Sequence, residues 1–189
     1  MEKFKDVMDE IRNANPNVCF KVMPCKELKE NFLFAYVPFK KARTIQVFRE
    51  GQGTDEQAHI CFSISPIACY VSSFKVKADL QQKGIGRTLF NMACAISDLK
   101  GVTTVWGIIS PIDDIKGVSD NSVMSHFREQ KALIDIYAKL GNRIDEDMDG
   151  GCIFITDFMP GKRIAKLNNE QVKFLKMIDK IEKKLDKQQ

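Results

Sequence analysis

Two glycines with one residue between them, Gly84 and Gly86, separate a short alternating segment from a strongly amphipathic one. Upstream, Phe74 and Val76 are apolar and each is followed by a lysine, which is the period of a strand with one buried face. Glycines that open a helix let backbone N–H groups turn toward a ligand, and the helix N-terminus adds unpaired donors. The spacing therefore favours a site for a phosphate-like anion, although glycines before a helix can also serve only as a turn.

The segment after the glycines predicts the helix that such a site needs. Its apolar residues recur at intervals of three and four, which places them on one helix face. They are Ile85, Leu89, Met92, Ile96 and Leu99. Gly101 follows at the position where a residue of left-handed conformation commonly ends a helix.

Residues 130–141 predict a second helix, with an apolar face that carries a tyrosine. The residues on that face are Leu133, Ile136, Tyr137 and Leu140, and Gly141 lies at the C-terminal cap position. A tyrosine in this pattern is usually a core residue. The pattern alone therefore predicts a buried ring and no particular chemistry.

Two motifs in these segments resemble those of the GNAT superfamily of N-acyltransferases. Residues 74–86 read Phe-x-Val-x-Ala-x-x-Gln-x-x-Gly-x-Gly, which is similar to the superfamily's acyl-coenzyme A motif, usually Leu-x-Val-x-Pro-x-x-Arg/Gln-x-x-Gly-x-Gly/Ala. Residues 137–142 read Tyr-Ala-Lys-Leu-Gly-Asn and resemble the Tyr-Glu-Lys-Leu-Gly-Phe helix end found downstream in the superfamily. The departures are Phe74 for Leu, Ala78 for Pro, Gln130 for a frequent Asn, and Asn142 for Phe. The order and distance of the two motifs agree with the superfamily.

The resemblance implies a coenzyme A site around the glycine turn. The turn would hold the pyrophosphate by backbone N–H groups, and the strand before it would pair with the pantetheine arm. The residues implied to bind coenzyme A are Phe74, Val76, Gln81, Gln82, Lys83, Gly84, Ile85, Gly86 and Arg87.

The implied function is transfer of an acetyl group from acetyl-CoA, as acyl-donor co-substrate, to a primary amine on a small molecule or protein. The amine would attack the thioester directly in a ternary complex, so that the reaction needs no metal and no cysteine nucleophile. A backbone N–H near Val76 would polarise the carbonyl, and Tyr137 would protonate the departing thiolate. A protein that binds acyl-CoA for regulation or interaction, without turnover, is the alternative.

The general base is not evident from the sequence. Many relatives carry a glutamate on the strand before the glycine turn, whereas residues 70–76 contain no carboxylate. Either water relays the proton to Glu50, Glu56 or His59 on the preceding hairpin, or the acceptor is an α-amine that is already partly neutral.

The resemblance implies a mixed α/β fold in which a splayed mixed sheet has helices on both faces. The residue pattern predicts helices over 2–14 and from Glu27 to about Tyr36, and strands over 18–23, 44–49, 58–65, 70–77, 102–109, 143–147 and 152–158. The helix between residues 77 and 102 predicts a parallel pair of strands on either side of it. The long segment 110–124, with Asp113, Asp114 and Asp120, is a candidate wall for the acceptor pocket and would favour a cationic acceptor.

We expect residues 1–160 to form the N-acetyltransferase domain and residues 161–189 a basic amphipathic helix. This C-terminal segment has nine basic and four acidic residues. Its apolar stripe is Val172, Leu175, Ile178, Ile181 and Leu185, which must pack on the domain or on a second copy in a homodimer. Nucleic-acid contact is not expected, because no aromatic residues interleave with the lysines as stacking platforms.

Composition favours one globular domain of 189 residues, 44% hydrophobic and 29% charged. The charged N-terminus lacks the apolar stretch of a signal peptide, and no run approaches the ~20 apolar residues that span a bilayer. We therefore expect a cytoplasmic protein without membrane contact. Its six cysteines form no Cys-x-x-Cys pair and are accompanied by only two histidines, which indicates buried free thiols and no metal site.

Overall fold

Alternating and continuous apolar segments build a mixed sheet that, within the described residues, has eight strands. The structure is a computed structural model and describes residues 2–109, 123–146 and 152–187. The strands are β1 (Cys19–Cys25), β2 (Glu30–Pro38), β3 (Arg43–Arg49), β4 (Glu56–Ile64), β5 (Cys69–Val76), β6 (Thr104–Ile109), β7 (Arg143–Glu146) and β8 (Cys152–Asp157). Their order is β1-β2-β3-β4-β5-β6-β8-β7. Among the strands that the structure describes, only β5 and β6 pair in parallel, as the strand–helix–strand pattern predicted.

Helices lie on both faces of this sheet, as expected. They are α1 (Lys5–Ala14), α2 (Ile85–Leu99), α3 (Val123–Lys139) and α4 (Asn169–Asp186). In β2, Phe32, Phe34 and Tyr36 belong to the core that includes α2 and α4. The residues between them belong to a second core that includes α1. Because successive strand residues point to opposite faces, α1 covers the face opposite α2 and α4.

The helix predicted from Glu27 to about Tyr36 is wrong, because this segment is strand β2. Residues 32–38 are buried without interruption, since α1 covers one face of the strand and the larger core covers the other. A strand buried on both faces has no polar alternation, and a continuous apolar run does not distinguish strand from helix by periodicity.

Strand β5 leaves its parallel partner halfway along its length. It pairs with β6 only from Cys69 to Val71, whereas its pairing with β4 continues to Val76. At the point of separation Ser72 has no partner in β4, because Val71 pairs with Phe62 and Ser73 with Cys61. Ser72 is therefore the extra residue of a β-bulge, a feature that bends a strand and increases its twist. The splayed sheet that the resemblance implied begins at this bulge.

The bulge also resets which residues of β5 face the large core. Without it, Val71 and Phe74 would point to opposite faces, because they are three residues apart. With it, Cys69, Val71, Phe74 and Val76 all contact the core that includes α2. A regular alternation over residues 70–77 does not describe this strand.

Helix α4 packs against α2 and β1 and buries Phe174, Leu175 and Ile178 in the large core. Asn168 caps its N-terminus and forms a capping box with Gln171. The apolar stripe thus lies against the protein's own sheet, and a homodimer stays a prediction. Among the residues that the structure describes, none of the helices combines the length and hydropathy needed to cross a membrane.

A buried carboxylate fixes α4 to the sheet. Glu182 is 3% exposed, accepts two hydrogen bonds from Arg43 at 2.7 and 3.1 Å, and accepts one from the Tyr36 hydroxyl. Lys100 lies 2.9 Å from the same carboxylate. Burial opposes ionisation of Glu182, but the hydrogen bonds from its three partners outweigh burial and lower its pKa to about 2.

The cysteines are free thiols, but not all are buried. Cys19, Cys25, Cys69 and Cys94 are buried, while Cys61 and Cys152 are partly exposed. Burial raises the pKa of Cys19, Cys69 and Cys94 to about 12, so these three stay protonated.

We predict that Glu182→Gln lowers the free energy of unfolding at pH 7 by about 3 kcal/mol, because it leaves the Arg43 and Lys100 cations without their buried anion. Urea denaturation measures this loss. Glu170→Gln on the same helix breaks ion pairs of a solvent-exposed carboxylate with Lys21 and Lys173 and should cost much less.

The stabilisation by Glu182 should depend on pH in a defined window. Its folded pKa lies below the usual value of 4.5, so the contribution is complete above about pH 4.5 and is lost as pH falls toward 2. The difference in free energy of unfolding between wild type and Glu182→Gln should therefore narrow over that range. If this difference stays constant from pH 6 to pH 3, Glu182 is not the buried anion that stabilises the fold.

Candidate active site

The glycine turn has the backbone conformation that a ligand cradle needs. Gly84 is left-handed, with φ 83°, and is the N-cap of α2. Gln82 is also left-handed, with φ 61°, so the turn has two left-handed residues with one residue between them. Turns of this kind direct successive N–H groups to one side. No acidic residue lies in the first turn of α2, and Gly84 has no side chain to cap the helix. Glu27 is the acidic neighbour, with Oε2 4.0 Å from the position of a Cβ atom at Gly84.

Gly86 sets the distance between this turn and β5. A Cβ atom at Gly86 would lie 3.3 Å from Val76 Cγ2 and 3.4 Å from Phe74 Cζ. These contacts are tight, so a larger side chain would push the start of α2 away from the strand. The second glycine of the motif therefore serves close helix–strand packing, and the first serves the left-handed turn.

A cleft of about 640 Å³ lies between the glycine turn, the end of β5 and α3. Of the residues predicted to bind coenzyme A, it is lined by Phe74, Val76, Gln81, Gln82, Gly84, Gly86 and Arg87, and Tyr137 lies on its α3 side. The side chain of Ile85 is in the core instead, 3% exposed. Lys83 is not among the lining residues, and its carbonyl accepts a hydrogen bond from the Cys25 thiol at 3.3 Å.

Strand β5 directs backbone polar groups into this cleft. The Lys77 N–H donates to the carbonyl of Gln57, a residue of β4, at 3.0 Å. Alternate residues of a strand direct their backbone N–H and C=O groups to opposite edges of the strand. The backbone groups of Phe74 and Val76 therefore point to the edge of β5 away from β4, and at that edge β6 has already separated. The Val76 carbonyl accepts from the Gln81 side chain at 3.1 Å, on that side. This open edge is where an extended ligand could pair with the strand.

Aromatic contacts hold Tyr137 in place beside the gap. Its ring stacks on Phe154 with centroids 4.2 Å apart and an interplanar angle of 9°, and meets the edge of Phe74 at 6.2 Å. The residue is 7% exposed, and burial raises its pKa above the usual value of 10. Tyr137 is therefore a protonated donor at neutral pH.

Asn142, which departs from the motif, has a structural role at the end of α3. Its side-chain amide donates to the Tyr137 carbonyl at 2.7 Å, and its backbone N–H donates to the same oxygen at 3.3 Å. These bonds satisfy a carbonyl at the helix C-terminus and help to fix the turn that carries Tyr137.

A second cleft of about 220 Å³ adjoins the first, where β5 and β6 diverge. Its lining includes Ser72, Ser73 and Ile108. Both clefts are lined by Phe74, Lys75, Leu133 and Tyr137. Phe74 and Tyr137 thus stand where a ligand in the larger cleft would meet one in the smaller cleft.

Two of the three candidate bases lie together beside the small cleft. His59 Nε2 is 2.7 Å from Ser73 Oγ, and His59 Nδ1 is 2.5 Å from Glu56 Oε1. Gln46 donates to the other Glu56 oxygen at 2.7 Å. Glu50 instead pairs with Lys3 at 2.6 Å, which leaves it outside this group.

Sequence reasoning missed Ser73, because only the strand register brings it beside His59. The pairing of Cys61 with Ser73 places His59 and Ser73 on the same sheet face, next to each other on adjacent strands. Glu27 was also missed as a lining residue of the large cleft, because the segment was predicted to be a helix. Residues 110–122, which include the three aspartates of the proposed acceptor wall, lie outside the described residues.

Comparison with known proteins bears on the fold. No protein-family model and no curated protein matches the chain. Among solved structures, a cAMP-binding acyltransferase from Mycobacterium smegmatis is similar with TM-score 0.59 and 12% identity, over 91% of this chain and 56% of that one. PaiA N-acetyltransferase from Thermoplasma acidophilum in complex with coenzyme A gives TM-score 0.48 and 15% identity over 62% of each chain. A GNAT-family protein from Desulfovibrio desulfuricans gives TM-score 0.45 and 14% identity, over 64% of this chain and 71% of that one.

The fold is therefore similar to that of the mycobacterial acyltransferase, and the expected mixed α/β architecture is confirmed. The chain spans 62% of the Thermoplasma protein's length and 56% of the mycobacterial protein's length.

We predict that Gly84→Ala weakens coenzyme A binding at least tenfold, because alanine at φ 83° costs about 1 kcal/mol and displaces the N–H groups of the turn. Isothermal titration calorimetry with coenzyme A measures the change. Gly101→Ala is a matched control, because Gly101 is also left-handed, φ 75°, and lies at the other end of α2. It should lose similar stability in urea and keep wild-type affinity; equal affinity losses in both variants would contradict a role for the turn in binding.

Proposed function

We propose that this chain is an N-acetyltransferase that transfers an acetyl group from acetyl-CoA to a primary amine in a ternary complex. The observation that carries the proposal is the open edge of β5 beyond Ser72. There, backbone groups of Phe74 and Val76 face a cleft that has the glycine turn at one end and Tyr137 at the other.

Coenzyme A has three chemically distinct parts, and the cleft offers a partner for each. The turn over residues 82–87 presents N–H groups and the Arg87 side chain to the pyrophosphate. The amides of the pantetheine arm can pair with the free edge of β5 as an added strand does. The thioester then lies at the gap between β5 and β6, beside Tyr137.

Amide formation from this arrangement is balanced in protons. The neutral amine attacks the thioester carbonyl, whose oxygen takes the negative charge and accepts a hydrogen bond from the β5 backbone. Collapse expels the thiolate, which takes the proton of the Tyr137 hydroxyl. Tyrosinate then regains the proton that the nitrogen loses, and the products are the amide and free coenzyme A.

The acceptor would enter through the small cleft, from the sheet face opposite α2. The proposed acceptor is an amine of a small molecule or of a protein, and we propose a cytoplasmic location and a homodimer as the further properties to test. Incubation of the full chain with isotopically labelled acetyl-CoA and a panel of amines tests the transfer directly. The panel contains a peptide with a free N-terminus, an N-blocked lysine peptide, spermidine and phenylethylamine. A chain that binds coenzyme A but labels none of these would favour a binding protein without turnover.

We predict that Tyr137→Phe lowers kcat about 100-fold and leaves coenzyme A affinity unchanged, because only the proton donor is removed while the ring keeps its stacking on Phe154. Steady-state kinetics and calorimetry separate the two effects. Tyr70→Phe is the control, since Tyr70 contacts Trp106 and is absent from the lining of both clefts. Because burial raises the pKa of Tyr137, wild-type activity should show no loss attributable to this hydroxyl below pH 10.

Retention of full activity in Tyr137→Phe would contradict the assigned donor. It would leave the transfer reaction itself in place, with water or the coenzyme supplying the proton.

A further inference from the structure

We propose that Ser73, His59 and Glu56 form the proton relay that deprotonates the acceptor amine. The inference rests on the proposed function, since it assigns the base that this reaction requires. Ser73 is the residue that would touch the amine, while His59 and Glu56 act through it.

The hydrogen bonds of the three residues define the direction of proton transfer. An ionised Glu56 carboxylate can only accept, so His59 Nδ1 at 2.5 Å carries the proton of that pair. Neutral His59 then has its Nε2 lone pair directed at Ser73 Oγ, 2.7 Å away, and accepts from the serine hydroxyl. The tautomer that can take up a proton from Ser73 is thus fixed by Glu56, as a carboxylate orients a catalytic histidine in other enzymes.

Glu56 is held in the ionised form that this arrangement needs. Burial opposes its charge, but the hydrogen bond and the charge attraction of His59, together with the hydrogen bond from Gln46, outweigh burial and lower its pKa. The carboxylate therefore stabilises the imidazolium that forms when His59 takes up a proton. The other charged group facing His59 is Lys75, its cross-strand partner on β5.

Ser73 is placed where an amine must pass to reach the thioester. It lies directly after the bulge, lines the small cleft and precedes Phe74, whose ring borders both clefts. The face of the sheet that carries Ser73 and His59 is opposite to the face covered by α2. An acceptor that enters from this face meets the serine hydroxyl first.

The proton transfer is balanced, and the proton can leave the relay to solvent. The amine arrives as an ammonium ion and gives one proton to Ser73 Oγ, while the serine gives its own proton to His59 Nε2. The neutral amine then attacks as described above. The side chains of His59 and Glu56 are 20% and 30% exposed, so the imidazolium can release its proton to solvent after each turnover.

Three variants test the relay: Ser73→Ala, His59→Gln and Glu56→Gln. With the best amine of the panel at pH 7, the first two should lower kcat/KM about 100-fold and leave coenzyme A affinity at the wild-type value. Glu56→Gln should lower kcat/KM about tenfold, because glutamine keeps a hydrogen bond but removes the charge. Asp55→Asn and Ser63→Ala are matched controls and should keep wild-type kinetics, since Asp55 pairs with Lys77 and Ser63 lies farther along β4.

The pH profile separates a relay from a merely structural role. As pH rises toward the pKa of the acceptor amine, the amine becomes neutral and needs no base, so the deficit of Ser73→Ala and His59→Gln should shrink at least tenfold. A deficit that is equal at every pH would overturn the relay. So would full activity in Ser73→Ala, or an acetyl group found on Ser73 by intact mass spectrometry after incubation with acetyl-CoA, which would make the serine a nucleophile.

Failure of the relay and failure of the proposed function give different results. A wild-type chain that binds coenzyme A but releases no thiol from acetyl-CoA, with or without amines, overturns the proposed function. A wild-type chain that transfers acetyl groups, with variants that match it at pH 7, overturns only the relay.

Discussion

The separation of β5 from β6 is the constraint on which the rest of the site depends. Parallel strands normally pair along their length, and a break in the ladder leaves backbone groups without partners. Here the break coincides with the bulge at Ser72, which inserts one residue into β5 opposite β4. Gly107, the last residue of β6 that pairs with β5, lies so close that a Cβ atom would be 2.8 Å from the Val71 carbonyl oxygen. The two strands are therefore held tightly up to this point and diverge directly after it.

Several features of the site follow from this geometry. The bulge rotates Phe74 and Val76 onto the face of α2, where Gly86 contacts both side chains. It also leaves Ser73 on the opposite face, beside His59. One inserted residue thus decides which side chains of β5 point to the α2 face and which to the opposite face. The buried Glu182 of α4 contacts Arg43 of β3 and Lys100 at the C-terminal end of α2, and so links this half of the sheet to α2.

The sequence motifs predicted the residues of the proposed donor site more fully than those of the proposed acceptor site, for a physical reason. A glycine turn is a local structure: the left-handed φ of Gly84 and the close packing of Gly86 depend on residue type, so the spacing is visible in the chain. The Ser73, His59 and Glu56 group depends on strand register across the β4–β5 pair, and a bulge shifts that register by one residue. Glu56 and His59 were identified as candidates from their hairpin alone, but their partner was not. The prediction for the segment from Glu30 to Pro38 was wrong for another reason. Complete burial removed the alternation of apolar and polar residues that marks a strand.

The acid and the base of the proposed reaction belong to opposite faces of the sheet. Tyr137 belongs to the core on the α2 face, whereas His59 and Ser73 lie on the opposite face. Tyr137 and Ser73 both line the small cleft, so the two faces meet there. In the proposed complex, a thioester in the gap between β5 and β6 would have its sulfur next to Tyr137 and its carbonyl carbon open to the face of Ser73. Because residues of both sheet faces line the small cleft, the proposed donor and acceptor would meet there.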